Sequence, residues 1–389
     1  MNIEQIRALF PVTKQAVYLN NASQSPLNTL VNDQLQIILK TELIPVDKKA
    51  FQRNDIRVLL SKILGGSAEE FALTTSTGIG IGMIAQGIDF NKGDNIVIPE
   101  NEHWNNTFPW LNLRKKGVEI RFAKLNEDHS FDPEAIEKLT DKNTRVIAIA
   151  AVRFNSGFKP NLLKIGKIAH KKGAIFVVDA AQAAGMIPID VEKMQIDVMA
   201  GCGFKWLLGL HGTGFLYVSK RIVKMIHPTL PGMFAAEPIY DELAYHNDAR
   251  KFETGTIAYT LFNAWSAGLQ LLLHIGVENI YEKALENTDF IIAGLQEKGY
   301  QIISPIKNRE DRTAIVHFTM GSFETSKTLY EKLIENKVLV TLQGENIRVS
   351  PNFFTTKEEI DTFENGIIHN DKIHKQIHKY RNLIINFPS

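Results

Sequence analysis

The chain has 389 residues, and its 44 lysines and arginines almost balance 43 aspartates and glutamates. This balance excludes a strongly basic surface for nucleic acid or an anionic membrane. The single cysteine, Cys202, excludes an intrachain disulfide framework and a multi-cysteine metal site, and we expect no metal. The N-terminus lacks the pattern of a signal peptide, and the apolar residues 261–276 are too few and too polar to cross a membrane. We therefore expect a cytoplasmic protein of two domains, without nucleic-acid or membrane partners.

The predicted elements begin with a short strand at residues 17–19. A polar turn follows, and apolar residues then recur at helical spacing over residues 30–39. A second helix is predicted from about residue 47 to residue 64, where two consecutive glycines end it.

Residues 71–85 allow two interpretations. Gly-Ile-Gly-Met-Ile-Ala at 80–85 matches the dinucleotide pattern G-x-G-x-x-A. The preceding Thr-Thr-Ser-Thr-Gly at 74–78 instead suggests a helix start whose hydroxyls and free N–H groups hold one phosphate. A dinucleotide site needs a firm strand directly before its glycines, and this polar tract fits that poorly. We therefore favour a phosphate site formed by residues 74–78, and an ordinary helix N-cap without a ligand is the alternative.

Strands and helices alternate along the next part of the chain. The run at 145–152 is almost continuously apolar, as in a parallel strand that is covered on both faces. Strand–helix–strand connections of this length require right-handed parallel crossovers. The predicted strands are 96–98, 118–122, 145–152, 174–179, 198–201 and 214–218, and the predicted helices are 102–114, one from 132, and 162–172. The sequence therefore predicts an α/β domain with a mainly parallel sheet between helices.

The pattern changes after residue 232. Two long helices, at 261–274 and 277–298, precede a mixture of strands and helices. The predicted strands are 314–318 and 338–342, and the predicted helices are 325–336 and 357–380. We interpret residues 265–389 as a smaller α+β domain and residues 21–264 as the large domain, with residues 1–20 packing against the small domain.

Lysine 205 lies in the most unusual segment, residues 201–214, which contains five glycines. Glycines at this density are typical where the backbone bends sharply or approaches a ligand. Burial between Phe204 and Trp206 would lower the pKa of the amine and make it a nucleophile able to form a Schiff base. The alternative is a glycine-rich loop whose lysine points into water. Ligands collect at the carboxyl ends of strands in such sheets, where Asp179 and Lys205 both lie.

These motifs, in this order, resemble the class V aminotransferase family of fold type I pyridoxal-phosphate (PLP) enzymes. Cysteine desulfurases, selenocysteine lyases and isopenicillin N epimerase-like proteins are among its members. The resemblance extends from Tyr-Leu-Asn-Asn-Ala at 18–22, through Val-Val-Asp-Ala-Ala-Gln at 177–182 and the lysine segment, to Ile-Arg-Val-Ser-Pro at 347–351. It implies the PLP-transferase fold type I, with a large PLP-binding domain and a smaller C-terminal domain.

The resemblance also implies roles for residues around the cofactor ring. Lys205 matches the lysine that holds PLP as a Schiff base. Asp179 matches the acid that pairs with the pyridine nitrogen and keeps the ring an electron sink. Gln182 matches the residue that hydrogen-bonds the ring phenolate oxygen, and His103 matches the imidazole that stacks on the ring. Lys205, His103 and Asp179 are thus the predicted catalytic residues.

Further residues are implied at the two ends of the site. Thr75 and Ser76 match the phosphate site deduced above. Thr256 resembles a residue that reaches the phosphate from the neighbouring subunit, which implies a homodimer with shared active sites. Arg348 matches the arginine that binds the carboxylate of an amino-acid substrate, a task suited to its bidentate fork. Asn21 is assigned to substrate binding with it.

The chain departs from the family pattern at three places. Cys202 and Phe204 replace the Ser-x-His that binds the phosphate in many desulfurases, so backbone groups and hydroxyls would carry more of that task. Phe154 replaces a usual asparagine, for which Asn155 is a substitute if the loop shifts. There is no cysteine between residues 321 and 344, where a persulfide-forming desulfurase carries its nucleophile. A sulfur-relay desulfurase is therefore disfavoured.

Three reactions remain, and they need only the cofactor and one mobile base. The first is elimination of a β- or γ-substituent, as in a carbon–sulfur lyase, in which Lys205 moves the proton at the substrate Cα. The second is transamination and the third is epimerisation. We rank the lyase first by analogy with thiol-free relatives. A non-catalytic PLP-fold protein and a nicotinamide oxidoreductase built on residues 80–85 are the alternatives of other classes.

Overall fold

The structure is a computed structural model and describes residues 1–44, 56–237, 239 and 241–368. The first part of the helix predicted over 47–64 and the last part of the one predicted over 357–380 lie outside the described residues. None of the helices in the described part combines the length and the apolar character that crossing a membrane requires.

The helices and strands follow in chain order. The α-helices are α1 (Ile3–Ala8), α2 (Thr29–Thr41), α3 (Ile56–Leu64), α4 (Thr77–Gly87), α5 (Phe108–Leu111), α6 (Pro133–Leu139), α7 (Leu162–Lys171), α8 (Tyr259–Ile275), α9 (Val277–Glu297), α10 (Phe323–Glu335) and α11 (Lys357–Ile368). The strands are β1 (Val17–Tyr18), β2 (Phe71–Thr74), β3 (Asn95–Pro99), β4 (Glu119–Ala123), β5 (Thr144–Ala150), β6 (Ile175–Asp179), β7 (Val198–Cys202), β8 (Gly214–Val218), β9 (Gln301–Ile302), β10 (Val316–Thr319), β11 (Val338–Leu339), β12 (Thr341–Gln343) and β13 (Asn346–Val349).

The main sheet has seven strands in the order β2-β8-β7-β6-β5-β3-β4. Its strands pair in parallel except for β8, which is antiparallel to both of its neighbours. Alternate residues of β5 enter separate apolar cores on the two faces: Ile147 and Ile149 on one face, Val146 and Ala148 on the other. The predicted α/β class with a mainly parallel, helix-covered sheet is confirmed.

Parallel strands end at one edge of this sheet, and that edge carries the polar groups. Asp179 is the last residue of β6, and Cys202 is the last residue of β7, its parallel neighbour. The adjacent α4 begins three residues after the end of β2 and packs against β7, where a Cβ on Gly80 would lie 3.0 Å from the Cβ of Ala200. The topology thus brings the start of α4 and the ends of β6 and β7 together.

One predicted helix is wrong in form. Residues 102–114 fold as a single 3-10 turn at Trp104–Asn106, the four-residue α5, and a second 3-10 turn. Pro109 is the physical reason, since it has no N–H to donate and is tolerated only in the first turn of a helix. The helix therefore restarts at Phe108, and His103 becomes the N-cap of the preceding turn.

The C-terminal part contains a four-stranded antiparallel sheet in the order β12-β13-β10-β9. A separate apolar core underlies it, and that core includes Leu19 near the N-terminus and residues of α9, α10 and α11. Strand β1 pairs in parallel with β11, which joins the N-terminal residues to this part of the molecule. The strand predicted over 338–342 is divided into β11 and β12.

Helix α8 spans the boundary that the sequence suggested. Trp265 lies within α8 and is fully buried in the same core as the main sheet. That core continues along α9 as far as Ala284, whereas Ile291 belongs to the C-terminal core. Core membership therefore changes within α9, although Ala314, Ile315, Phe353 and Phe354 again belong to the first core, and the domain boundary at residue 265 stays a prediction.

Candidate active site

The lysine segment is a compact turn between β7 and β8. A Cβ on Gly203 would overlap the hydroxyl of Thr213, and a Cβ on Gly209 would overlap the indole of Trp265. These two glycines therefore allow the turn to fold back on its own backbone and against α8. The N–H of Leu208 donates to the carbonyl of Lys205, closing a turn at the lysine itself.

A cavity of about 160 Å³ opens beside this turn. It brings together five of the predicted site residues, namely Ser76, His103, Asp179, Gln182 and Lys205. Its other lining residues are Thr77, Asn105, Ala150, Val152, Phe154, Ala181, Cys202 and Phe204. The predicted convergence at the carboxyl ends of the strands is therefore present in the structure.

Asp179 forms part of the cavity floor at the end of β6. Its side chain is buried, and its Oδ1 accepts one hydrogen bond, from the N–H of Ala181 at 2.9 Å. Burial raises the pKa of this carboxyl, and the Ala181 hydrogen bond and the charge of Lys205 oppose that rise only in part. The carboxylate thus retains capacity to accept a further proton or hydrogen bond.

The pKa of the Lys205 amine is shifted in the opposite direction from that of Asp179. Burial lowers its pKa and Arg348 adds to that decrease, while Asp179 and Cys202 act against it. Its Nζ lies 5.7 Å from the centre of the Phe204 ring. A larger share of the amine is therefore neutral near pH 7 than for a solvated lysine, and the neutral amine is the nucleophilic form.

Gln182 is oriented by two partners that leave no ambiguity about its amide. The indole N–H of Trp206 can only donate, and it donates to Oε1 at 2.9 Å. The carbonyl of Ala22 can only accept, and Nε2 donates to it at 2.8 Å. One amide hydrogen of Gln182 remains beside the cavity. The same bonds tie the lysine turn to the N-terminal segment.

His103 presents its ring at the side of the cavity. Its Nδ1 accepts a hydrogen bond from the N–H of Asn105 at 3.1 Å, so the proton of the neutral ring is on Nε2. Burial lowers the pKa of His103, and the charge of Lys205 lowers it further. The ring also meets Phe154 edge-on, with centroids 5.1 Å apart.

A buried ion pair that no local sequence pattern predicts lies behind His103. Arg153 Nη1 donates to Glu102 Oε1 at 2.9 Å, and both side chains are about 1% exposed. Arg153 also donates to the carbonyls of Glu100 and Asn101. These bonds join the residue before His103 to the residue before Phe154. The two partners are 51 positions apart, and no local pattern links them.

Only one of the two residues predicted to hold a phosphate lines the cavity. Ser76 caps α4 by accepting from the N–H of Ile79 at 3.3 Å, and it lines the cavity as expected. Thr75 is exposed and does not line the cavity, since the buried Thr74 before it at the end of β2 sends its neighbour to the other side. Thr77 takes its place. The Thr77 hydroxyl is buried beside the Cys202 thiol, whose pKa this contact lowers, and no nitrogen or oxygen atom of the described residues is hydrogen-bonded to it.

Arg348 lies on β13, outside the cavity lining but close enough to affect the Lys205 amine. It is buried; its Nη2 donates to the hydroxyls of Ser23 at 2.5 Å and Thr341 at 3.3 Å, and its Nε has no partner. Burial lowers its pKa. Within the described ranges, no carboxylate lies within ion-pair distance of it. Such a group is suited to an incoming anion.

Two other predicted residues do not face the cavity. Asn21 is fully buried; its Nδ2 donates to the carbonyl of Ser350 and its Oδ1 accepts from Asn352, so its amide is used to hold the N-terminal segment against the end of β13. This disagrees with substrate contact by Asn21. Thr256 is exposed and lies away from the cavity of its own chain.

The aromatic residues near the site separate into three groups. Phe154 and Phe204 line the cavity, so Phe154 occupies the wall where an asparagine was expected. Asn155 does not line it, and its Nδ2 donates to the carbonyl of Asn101. Trp110 and Trp206 belong to the core, and Trp104 is exposed.

The residues that meet in this cavity fit a phosphorylated aromatic aldehyde. The unpartnered hydroxyl of Thr77 and the first N–H groups of α4 form a site for a phosphate. A neutral amine at Lys205 suits an aldehyde, and the under-satisfied carboxylate of Asp179 suits a protonated ring nitrogen. These features are consistent with PLP.

Comparisons with known proteins agree with this geometry. The chain is 29% identical over 383 residues to a probable cysteine desulfurase of Methanothermobacter thermautotrophicus, covering 92% of this chain and 96% of that protein. The apo cysteine desulfurase of Thermococcus onnurineus superposes with a TM-score of 0.88 at 24% identity, over 97% of this chain and 99% of the other.

The cystine C–S lyase C-DES, solved with its product cysteine persulfide, superposes with a TM-score of 0.84 at 22% identity, over 92% and 98% of the two chains. Another C-DES structure has glycine covalently linked to its PLP cofactor. The family model described as Aminotransferase class-V matches residues 45–363. This chain therefore belongs to the class-V aminotransferase family.

Proposed function

We propose that this protein is a PLP-dependent lyase that removes a sulfur-containing or related β- or γ-substituent from an amino acid without using a protein thiol. The observation that carries the proposal is the cavity that unites a Lys205 amine of lowered pKa with a buried Asp179 carboxylate, in a chain whose single cysteine is buried. The family membership and the likeness to a cystine C–S lyase support the same conclusion.

PLP, when bound, supplies an electron sink that stabilises negative charge at the substrate Cα. Lys205 would hold its aldehyde, and Asp179 would hold the proton on its ring nitrogen. The free amide hydrogen of Gln182 is available to the ring oxygen. His103 Nδ1 accepts a backbone N–H, which fixes the orientation of the imidazole, and this ring would lie against the cofactor.

The buried guanidinium of Arg348 binds the substrate carboxylate. Its present partners are two neutral hydroxyls, and its Nε–H is unsatisfied. A carboxylate there would complete a bidentate pair in a desolvated position, where charge-assisted hydrogen bonds are strong. The substrate amine would first displace Lys205 from the aldehyde. The freed Lys205 amine would then take the proton from the substrate Cα while a β-substituent leaves with its bonding electrons; loss of a γ-substituent would also need a proton removed at Cβ.

Cys202 supports a reaction without a protein nucleophile. It is the only cysteine of the chain. Burial raises its pKa to about 11, so it stays a neutral thiol at physiological pH. Only the thiolate attacks sulfur efficiently. Sulfur therefore leaves with the product and is not carried on the enzyme.

Two exposed features support a homodimer with shared sites as part of the same proposal. Thr256 is exposed outside the cavity of its own chain, where only a second copy gives it a role at the phosphate. The rings of Trp104 and Phe108 stack with their centroids 6.3 Å apart, and both side chains are more than half exposed. They follow His103, which lines the cavity. Exposed aromatic pairs of this kind are typical of interfaces.

Product analysis tests the reaction. The PLP-loaded enzyme is incubated in separate reactions with cystine, cysteine, an S-alkylcysteine or alanine. Keto acid, ammonia, sulfide and inverted amino acid are measured in each reaction, and alanine is measured as a product of the sulfur-containing substrates. The proposal predicts keto acid, ammonia and a sulfur product without any amino acceptor. It also predicts that Cys202→Ser retains near-wild-type rates.

Three outcomes would refute the lyase. Alanine formation that is lost in Cys202→Ser would indicate a persulfide mechanism. Turnover that depends on an amino acceptor would indicate an aminotransferase, and racemised substrate without release of a substituent would indicate an epimerase.

A further inference from the structure

Asn105 is a cavity residue without a role in the site as described so far. Its backbone N–H is fixed by His103 Nδ1, but its side-chain amide makes no hydrogen bond to the described part of the chain. The amide lies directly against the first turn of α4, as its contact with Gly78 shows. Asn105 is exposed in the single chain, so this amide faces solvent at the cavity and is free to bind a ligand at the start of that helix.

Gly78 is what makes room for this amide. A Cβ added to Gly78 would lie 3.0 Å from Asn105 Cγ and 3.1 Å from its Oδ1. The backbone of Gly78 is helical, so conformational freedom does not explain a glycine there. By contrast, a Cβ on Gly82, one turn further along the same helix, would meet nothing within 4 Å. A side chain at position 78 would therefore crowd Asn105, whereas a side chain at position 82 would meet no neighbour.

A dianionic phosphate at this place would have few strong donors among its neighbours. The cavity lining near α4 contains the neutral thiol of Cys202, and the phenyl ring of Phe204 lines the same cavity. Lys205 is the one cationic side chain among the lining residues that the structure describes, and the proposed function uses it for the aldehyde. The α4 N–H groups and the unpartnered Thr77 hydroxyl remain, and a further neutral donor would strengthen the site.

We infer that Asn105 donates its side-chain amide to the cofactor phosphate, and that Gly78 is required because it leaves the space for that amide. This inference rests on the proposed function and adds a binding residue to the same site. Asn105 binds through a hydrogen bond and takes no part in proton transfer. The ligand group that it recognises is the phosphate, so the ring and the aldehyde are not affected.

The test compares two ligands that differ only in that phosphate. Dissociation constants of the apo protein for PLP and for pyridoxal are measured from the visible absorption of the lysine-linked ligand. Loss of one hydrogen bond to a charged group is expected to weaken PLP about tenfold to a hundredfold in Asn105→Ala, with pyridoxal unchanged. Asn105→Asp, which keeps the shape but adds negative charge, should weaken PLP further still.

A double-mutant cycle examines the space at Gly78. Gly78→Ala should weaken PLP when Asn105 is present and have little further effect in Asn105→Ala, because the two changes act on the same contact. Gly82→Ala is the matched control in the same helix and should leave both ligands unaffected.

The outcomes separate this inference from the proposed function. If Asn105→Ala changes PLP and pyridoxal equally, or changes neither, or if Asn105→Asp binds PLP as the wild type does, Asn105 is not a phosphate ligand. If the wild-type protein forms no absorption band with either compound, the proposed function fails and this inference fails with it.

Discussion

Two buried aspartates at opposite ends of neighbouring strands have opposite environments. Asp197 precedes β7, and Asp179 ends β6. Asp197 accepts hydrogen bonds from the N–H of Phe176 at 2.8 Å and from Arg221 at 2.6 and 2.7 Å, and it lies 3.0 Å from His170 Nε2. Among the described residues, the Asp179 carboxylate accepts only the N–H of Ala181, and it faces a cavity.

The pKa values of the two carboxyls diverge accordingly. Burial alone would raise the pKa of Asp197, but hydrogen bonds from His170 and Arg221 outweigh it and hold that pKa below its usual range. Burial raises the pKa of Asp179, and its single N–H bond and Lys205 do not cancel that rise. A fully bonded carboxylate stabilises the fold, whereas an under-bonded one is available to a ligand.

Replacing Asp179 should give the largest change in activity. We expect Asp179→Asn to lower turnover at least about a hundredfold, because the cofactor nitrogen would lose its anionic partner. The same change should leave the apo protein as stable as the wild type or more stable, since it removes a buried charge with too few partners. Steady-state kinetics and denaturant unfolding of the apo protein measure the two effects. A near-normal turnover would show that Asp179 does not serve the cofactor.

Replacing Asp197 should have the opposite effect. We expect Asp197→Asn to lower the free energy of unfolding by about 2–3 kcal/mol, because Arg221 and His170 lose their anion, although both can turn toward water. Turnover of the folded enzyme should be unchanged. A variant of unchanged stability that loses activity would contradict the division between the two aspartates.

Arg348, like Asp179, is a buried charged group with few hydrogen-bond partners, and its removal should weaken substrate binding. Arg348→Gln can still bond Ser23 but has no charge, and we expect it to raise KM for amino acids about tenfold to a hundredfold. Arg309→Gln, at an exposed ion pair with Glu282, is the matched control and should leave KM unchanged. An unaffected KM in Arg348→Gln would show that the substrate carboxylate binds elsewhere.

Replacing His317, on β10, should produce the smallest effect, a change in how steeply the free energy of unfolding depends on pH. Its Nε2 lies 3.2 Å from the carbonyl of Phe154, which can only accept, so Nε2 carries a hydrogen, and Nδ1 has no partner among the described residues. Burial lowers the pKa of His317 to about 3, whereas the unfolded chain has the usual value near 6.5.

The direction follows from proton binding. Between pH 6.5 and the folded-state pKa, the unfolded state binds the proton, so stability falls as the pH falls, by up to about 1.4 kcal/mol per pH unit. His317→Gln retains a donor for Phe154 without titrating. Unfolding measured from pH 7 to pH 5 should be less dependent on pH in this variant, and an identical slope would show that His317 is not the source.

The sequence predicted what local patterns determine. The apolar run of β5 indicated a strand buried on both faces, and the glycines around Lys205 indicated a tight turn. Asp179 and Lys205 were placed together because parallel strands end at a common edge. Each of these inferences needs only the residues themselves and the geometry of a parallel sheet.

The remaining site features depend on contacts that a linear pattern does not specify. Whether Thr75 or Thr77 faces the cavity depends on which residue ends β2, because successive side chains of a strand point to opposite faces. The Glu102–Arg153 pair forms between residues far apart in sequence. Asn21 had the right type for a ligand contact but is used for packing against Ser350. In each case the deciding partner comes from elsewhere in the chain.

The central claim is that the Lys205 amine carries the cofactor, and covalent labelling tests it most directly. Protein loaded with PLP is reduced with borohydride, digested and mapped by mass spectrometry, with Lys205→Ala treated in parallel. We predict that the modification is found on the peptide that contains Lys205, together with loss of the visible absorption band in the variant. Modification at another lysine, or an unmodified Lys205 in fully loaded protein, would contradict the account.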